Sequence, residues 1–316
     1  MNMTMRMANK MKMAKVLVLS VVAAMAFVSV ARVSASSSNH NHPDLAVLLN
    51  GRKIEFPDEK PQVDSSSRVL IPVRFVSEAL GAKVGFEGKT VIITQGAKNV
   101  RLTIGSNAAL VNGERLVLDT KAVAVNGRTL VPLRFVSEAL GQKVRWDAVS
   151  RWVWIGEEKV PSLQESDVKV YPLDGFRKYF TKAKGEYLYG AKDVTIFTQK
   201  NFPIRFEDDF DNVTIYSVTL VPVKDYFEVQ MNYSGKHFGI YYLTGDGIPR
   251  ARFNSAKYRV NNPDGTFTAT FMFRSGSDLD SYGIKNWKDM KPEDIKYVGF
   301  SVGLETLPLL EKPFAN

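Results

Sequence analysis

The sequence predicts an α+β domain over residues 44–156 followed by a mainly β domain over 167–316. Three observations carry this. Arg68–Glu87 (RVLIPVRFVSEALGAKVGFE) and Arg128–Asp147 (RTLVPLRFVSEALGQKVRWD) are two copies of one pattern, 60 residues apart, with RFVSEALG identical in both. Asn-Gly pairs flanked by apolar residues precede each copy, at Asn50-Gly51 and Asn112-Gly113; such pairs are strong hairpin signals. Beyond residue 160 the chain is aromatic-rich and alternates apolar and polar residues with the period of a strand.

Each copy is justified element by element. Val69 and Ile71, with Val131 in the second copy, end a strand. Pro72 and Pro132 stand where a helix begins, because a fixed φ and a missing N–H suit its first turn. Phe75, Val76, Ala79 and Leu80, and their counterparts Phe135, Val136, Ala139 and Leu140, make an apolar face. Arg74 with Glu78, and Arg134 with Glu138, form i,i+4 pairs. Gly81 and Gly141 stop the helices as C′ glycines do. Strands at Lys83–Phe86 and Lys143–Trp146 then turn back through Val91–Ile93 and Trp152–Ile155, so each copy reads strand, short helix, hairpin. The Pro, Arg, Glu and Gly positions of the motif are read as architecture. Arg74 and Arg134 are its only members with binding chemistry.

The doubled pattern resembles the copper amine oxidase N-terminal, or stalk, domain, over residues 44–156. The resemblance implies an extracellular α+β module of secreted Gram-positive proteins, appended to varied partners. It does not imply copper, since the metal and quinone of those oxidases belong to a separate, larger catalytic domain. That chemistry needs three histidine ligands, whereas this chain has three histidines in all, His40 and His42 together near the amino terminus and His237 alone in an expected turn. Copper amine oxidase activity is therefore not expected.

The chain of 316 residues is 45% hydrophobic and 24% charged, a globular mixture. It has no cysteine, which excludes disulfide frameworks, thiol catalysis, Fe–S clusters and cysteine-based zinc sites. Residues 1–15 are basic, Val16–Val30 is apolar, and Val33-Ser34-Ala35 has the small residues of a cleavage site. Fifteen helical residues reach about 22 Å, short of the ~30 Å hydrocarbon core. Residues 1–35 thus read as a secretory signal peptide. Residues 36–43 read as a flexible amino terminus, and the processed chain as secreted, wall-associated or free, with no membrane span. Of the formal charge of +9, five charges belong to this leader, leaving +4, so no nucleic-acid partner is expected.

Glu157–Ser166 reads as a polar linker. After it, strands are expected at Val194–Phe197, Val213–Val223, Tyr226–Tyr233, Phe238–Leu243, Ala251–Val260, Thr266–Phe273 and Tyr297–Gly303, and short helices at Phe176–Tyr187 and Trp287–Ile295. Evenly spaced strands and Gly-rich turns predict an antiparallel β-sandwich or jelly roll. Three groups of side chains are candidate sites. Asp208, Asp209 and Asp211 offer hard oxygens for Ca²⁺, in a run that lacks the glycine and distal glutamate of a calcium loop. Tyr226, Tyr241 and Trp287 offer rings to a sugar or protein. Lys285, Lys288 and Lys291 around Trp287 favour an anionic wall polymer. There is no G-x-S-x-G, P-loop, H-E-x-x-H or dinucleotide fingerprint.

The resulting expectation is a secreted, non-enzymatic cell-envelope protein. Its stalk presents a β-sandwich to a wall polymer, polysaccharide or protein. A carboxylate-dependent glycosidase or lyase and a structural assembly protein are the alternatives.

Overall fold

The computed structural model describes residues 45–183, 187–188, 190–207, 212–236, 238–253 and 258–314. Asp208, Asp209 and Asp211, like His40, His42 and His237, lie outside the described residues. In chain order the amino-terminal part comprises β1 (Ala46–Leu49), β2 (Arg52–Lys53), β3 (Gln62–Val63), β4 (Val69–Pro72), α1 (Val73–Ala79), β5 (Lys83–Glu87), β6 (Thr90–Gln95), β7 (Lys98–Thr103), β8 (Ala108–Val111), β9 (Glu114–Val117), β10 (Val123–Val125), β11 (Arg128–Pro132), α2 (Leu133–Ala139), β12 (Val144–Asp147) and β13 (Trp152–Ile155). They form sheets of order β12-β13-β1-β2, β10-β11-β4-β3 and β5-β6-β7-β8-β9. One apolar cluster, including Val47, Ile71, Val76, Ile93, Val100, Val136 and Ile155, joins all three sheets and both helices.

The Asn-Gly turns connect β1 to β2 and β8 to β9, with φ positive at both residues of each pair. Asn126-Gly127 does the same between β10 and β11. Gly81 and Gly141 end their helices at φ +76° and +85°. In both copies the two backbone bonds of a Schellman motif close the end: Gly81 and Ala82 N–H donate to Glu78 and Ser77 C=O, and Gly141 and Gln142 to Glu138 and Ser137. Side chains from β6 and β7 cap the carbonyls left over, Gln95 on Leu80 and Lys98 on Leu140, each at 2.5 Å.

Three details of the repeat differ from expectation. The prolines are the last strand residues and N-caps, one step before the helix. The buried helix face is Val73, Val76 and Ser77, and in the second copy Leu133, Val136, Ser137 and Leu140, while Ala79 is exposed. An i, i+3, i+4 stripe centred on the serine points at the core, because the strand before each helix sets its rotation. Among the described residues, neither buried serine hydroxyl has a hydrogen-bond partner. Ser77→Ala should therefore be neutral or stabilising by about 1 kcal/mol in equilibrium denaturation, since a buried unpaired hydroxyl is costly and alanine favours helix. A clear loss of stability would mean that the hydroxyl is bonded. Finally, the hairpins join different sheets: β6 continues antiparallel into β7, whereas β13 takes β1 as a parallel neighbour.

The carboxy-terminal part comprises β14 (Lys169–Pro172), β15 (Asp193–Phe197), β16 (Ile204–Glu207), β17 (Asn212–Val223), β18 (Tyr226–Ser234), β19 (Ile240–Leu243), β20 (Arg250–Arg252), β21 (Arg259–Asn261), β22 (Phe267–Met272), α3 (Ser277–Tyr282), β23 (Tyr297–Phe300) and β24 (Thr306–Glu311). Leu173–Phe180, Trp287–Asp289 and Pro292–Asp294 are 3-10 turns. The sheets are β14-β15-β24-β23-β19-β20 and β16-β17-β18-β22-β21. They share a core of Phe197, Phe206, Met231, Tyr242, Phe271, Phe300 and their neighbours. The protein is mainly β. The purely antiparallel expectation fails at β15 and β24, which pair in parallel. The expected strand Ala251–Val260 is two strands, β20 and β21, one in each sheet.

The six-stranded sheet is covered on both faces. Tyr242, Phe197 and Leu310 point to the second sheet; Tyr241, Leu243, Val194 and Leu309 point to the 3-10 segment holding Leu173 and Phe180. Tyr241 is therefore 2% exposed, which corrects its assignment to an accessible face. Its ring lies on Gly299, where a side chain would collide with it. Burial pushes the Tyr241 phenol up and lifts Tyr297, beside Tyr179, to about 12. Both favour the neutral phenol in the folded state, so their contribution is intact below pH ~10; that of Tyr297 is lost as pH rises through about 12, and that of Tyr241 at higher pH still. An alkaline titration should show tyrosinate absorbance and loss of near-UV circular dichroism together in that range; ionisation of every tyrosine near pH 10 with the fold intact would contradict this.

The two parts are packed against each other. Val153 and Ile155 of β13 face the amino-terminal core, while Trp152 and Trp154 face Leu48, Val160 and Tyr216. Tyr216 falls at a bulge between Ile215 and Ser217, and its ring lies 6.0 Å from that of Trp152. Asn232, which alternation along β18 places on the face opposite Met231 and Tyr233, is buried and donates to Ser150 Oγ at 3.1 Å. The segment 157–166 is knitted in. Leu163 is buried in the carboxy-terminal core, its N–H donates to Arg205 C=O at 2.9 Å, and Arg52 donates to Glu165 C=O at 2.6 Å.

Candidate functional site

The pairing of β4 with β11 builds the site. Leu70 lies opposite Pro132, Ile71 opposite Val131, and Pro72 opposite Leu130. With a repeat offset of 60, Ile71 and Val131 are the same position in the two copies, so the pair has a local two-fold relation. Each strand consequently carries its ends into the other copy's territory.

Two grooves result, one for each copy. The first, of about 370 Å³, is lined by Pro72, Val73, Arg74, Phe75 and Phe86 of copy one and by Gly127, Arg128 and Thr129 of copy two. The second, of about 470 Å³, is lined by Pro132, Leu133, Arg134 and Trp146 of copy two and by Ser67, Arg68 and Val69 of copy one. Apart from Phe75, whose counterpart Phe135 does not line the second groove, these residues correspond at the repeat offset. Val63, Val144 and Val153 add apolar walls to the second groove, and Asp119 and Arg151 add charge. Phe86 and Trp146, at equivalent positions, are 45% and 39% exposed.

The charges follow the same symmetry. Arg68 pairs with Asp119 at 2.7 Å, and Arg128 pairs with Asp58. A bond from the Glu59 N–H, reinforced by Arg128, holds the Asp58 carboxyl below its usual value. Arg74 and Glu78 form the expected i,i+4 contact at 3.8 Å. The counterpart expected between Arg134 and Glu138 is not formed: among the described residues Arg134 has no ion pair, and it lines the second groove instead. Three arginines and one aspartate therefore line that groove. Among the described residues, two of these guanidinium groups, Arg134 and Arg151, have no ion pair, beside the Trp146 indole.

This repeat-built domain can be assigned. Residues 48–155 match the copper amine oxidase N-terminal domain family. No curated protein matches the chain, and the remainder of the sequence has no family match. Both grooves thus lie within the residues that match this family. This domain offers no fit to copper: it contains no histidine, and among the described residues no group of three or more His, Asp or Glu side chains is placed to hold a metal ion.

The other candidates are dispersed. Tyr226 starts β18, is 45% exposed and lies near Glu228. Trp287 is half-buried beneath Lys288, in a separate pocket of about 240 Å³ shared with Arg250 and Asp294. A larger cleft of about 1030 Å³, between Phe56 and Trp152 on one side and Leu220, Phe227 and Phe314 on the other, follows the junction of the two parts. No helix of the described residues is long and apolar enough to cross a membrane.

Sequence reasoning singled out Arg74 and Arg134 but not Arg68, Arg128, Phe86, Trp146 or Arg151. A signal existed. At 68/128 and 86/146 the repeat keeps a guanidinium and a ring at positions with no place in the apolar helix face.

Proposed function

We propose that the chain is an exported, non-catalytic protein of the cell envelope. Its copper amine oxidase N-terminal domain, built as two strand–helix–hairpin repeats, grips an acidic wall glycopolymer in the second groove, and the carboxy-terminal β-sandwich is fixed rigidly beside it. The observation that supports this reading is the lining itself, with Arg68, Arg134 and Arg151 around Trp146 on an apolar floor. Guanidinium forks match carboxylate and phosphate oxygens, and an exposed indole gives a flat apolar surface for a sugar ring. The leader at residues 1–35 supports export, and the lack of nucleophile–base constellations in the sequence supports binding rather than turnover. The ligand site is thus placed in the amino-terminal repeat and not at the carboxy-terminal rings.

The test is retention of the purified protein on immobilised polyglucuronate, on wall teichoic acid and on a neutral glucan. Retention on one or both acidic polymers, weakened by salt and reduced at least tenfold by Arg134→Ala with Trp146→Ala, is expected. Equal retention on the neutral glucan, or acidic retention that the double variant leaves unchanged, would sink the reading.

A further inference from the structure

Resting on that reading, we infer that the first groove is a second site of the same ligand class, so that each chain holds two segments of acidic glycopolymer. The first groove carries a counterpart of each main polar and aromatic group of the second: Arg74 stands for Arg134, Phe86 for Trp146, and Arg128 for Arg68, although Arg74 is paired with Glu78 where Arg134 has no ion pair among the described residues. Each groove takes its arginines from both copies, and in each the arginine at the start of the β4 or β11 segment is steadied by a carboxylate from the segment before the opposite copy. Architecture alone requires none of this. The apolar helix face, the prolines and the glycines pack identically without a ring and two guanidinium groups at the surface.

The symmetry also sets how polymer is held. Arg68 and Arg74 flank the two ends of β4 and belong to different grooves. An extended span of that length separates the sites by roughly 15–20 Å. A two-fold relation reverses direction, so a polymer running past one groove in one sense meets the other in the opposite sense. Two separate segments satisfy this more simply than one threaded chain, which makes the domain a cross-bridge between polymer strands. The first groove lacks a counterpart of Arg151 and has phenylalanine for tryptophan, so it is the weaker site.

Calorimetry of the purified protein with short glucuronate oligomers and, separately, glycerol-phosphate oligomers tests this and distinguishes carboxylate from phosphate recognition. The expected result with at least one oligomer is two bound per chain. One should remain after Arg74→Ala with Phe86→Ala, and one, weaker, after Arg134→Ala with Trp146→Ala. Long polyglucuronate or teichoic acid should become turbid with the wild-type protein and with neither variant. All four residues are surface residues, so the variants keep the fold, and unchanged circular dichroism checks this. One equivalent, lost with Arg134→Ala and Trp146→Ala and untouched by Arg74→Ala and Phe86→Ala, would overturn the second site while leaving the second-groove reading intact. No binding of either oligomer would overturn both.

Discussion

Asp278→Ala should destabilise the protein by about 3–5 kcal/mol, the cost of leaving one member of a buried ion pair without its partner. Asp278, in the first turn of α3, and Arg252, at the end of β20, are 2% and 3% exposed in their side chains. The guanidinium meets the carboxylate at two points, 2.9 and 2.8 Å. It also donates to the carbonyls of Ala251, Met272 and Phe273 and lies 5.1 Å from the Tyr242 ring. Because β20 belongs to one sheet and Met272 to the other, this arginine ties both layers and α3 together. Removing the carboxylate leaves a cation in a desolvated site. Denaturant titration measures the loss, and a cost below about 1 kcal/mol would show that water reaches Arg252. The paired replacement Arg252→Met with Asp278→Leu should recover most of the lost stability, since it removes both charges.

The second large effect concerns the junction. Trp152→Ala should cost about 3–5 kcal/mol, in the range for deleting a fully packed aromatic side chain. The indole contacts Trp154 and Tyr216, each at 6.0 Å between ring centroids, and Lys53 lies over it at 5.3 Å. Its loss opens a cavity between the two parts of the chain, beside the buried bond from Asn232 to Ser150. Wild-type protein should unfold in one cooperative transition, and Trp152→Ala should separate it into two. Two transitions already present in the wild-type protein, unmoved by the substitution, would mean that the junction contributes little.

Much of the amino-terminal architecture was legible because local chemistry enforces it. Asn-Gly takes positive φ more readily than most residue pairs, glycine after a short apolar stripe ends a helix, and proline marks the passage from strand to helix. Less was legible beyond residue 166. The central strand β24 contains Pro308, a residue that argues against a central strand, yet it pairs on one side in parallel with β15. Tyr241 alternates correctly with Tyr242, but alternation separates faces without saying what covers them. Here the 3-10 segment Leu173–Phe180 buries the face taken as open. Asn232 follows the same logic, polar by pattern and buried because the amino-terminal part lies on it.

Taken alone, the sequence determined the repeat, its turns and stops, the resemblance of residues 44–156 to a known domain family and the absence of thiol chemistry, because each follows from residue identity or from spacing within a few turns of chain. The tertiary structure decided which rings are accessible and which arginines meet. Those depend on strands brought together across 60 residues and on layers stacked on sheet faces. Periodicity within one segment carries no information about the neighbour that will cover it.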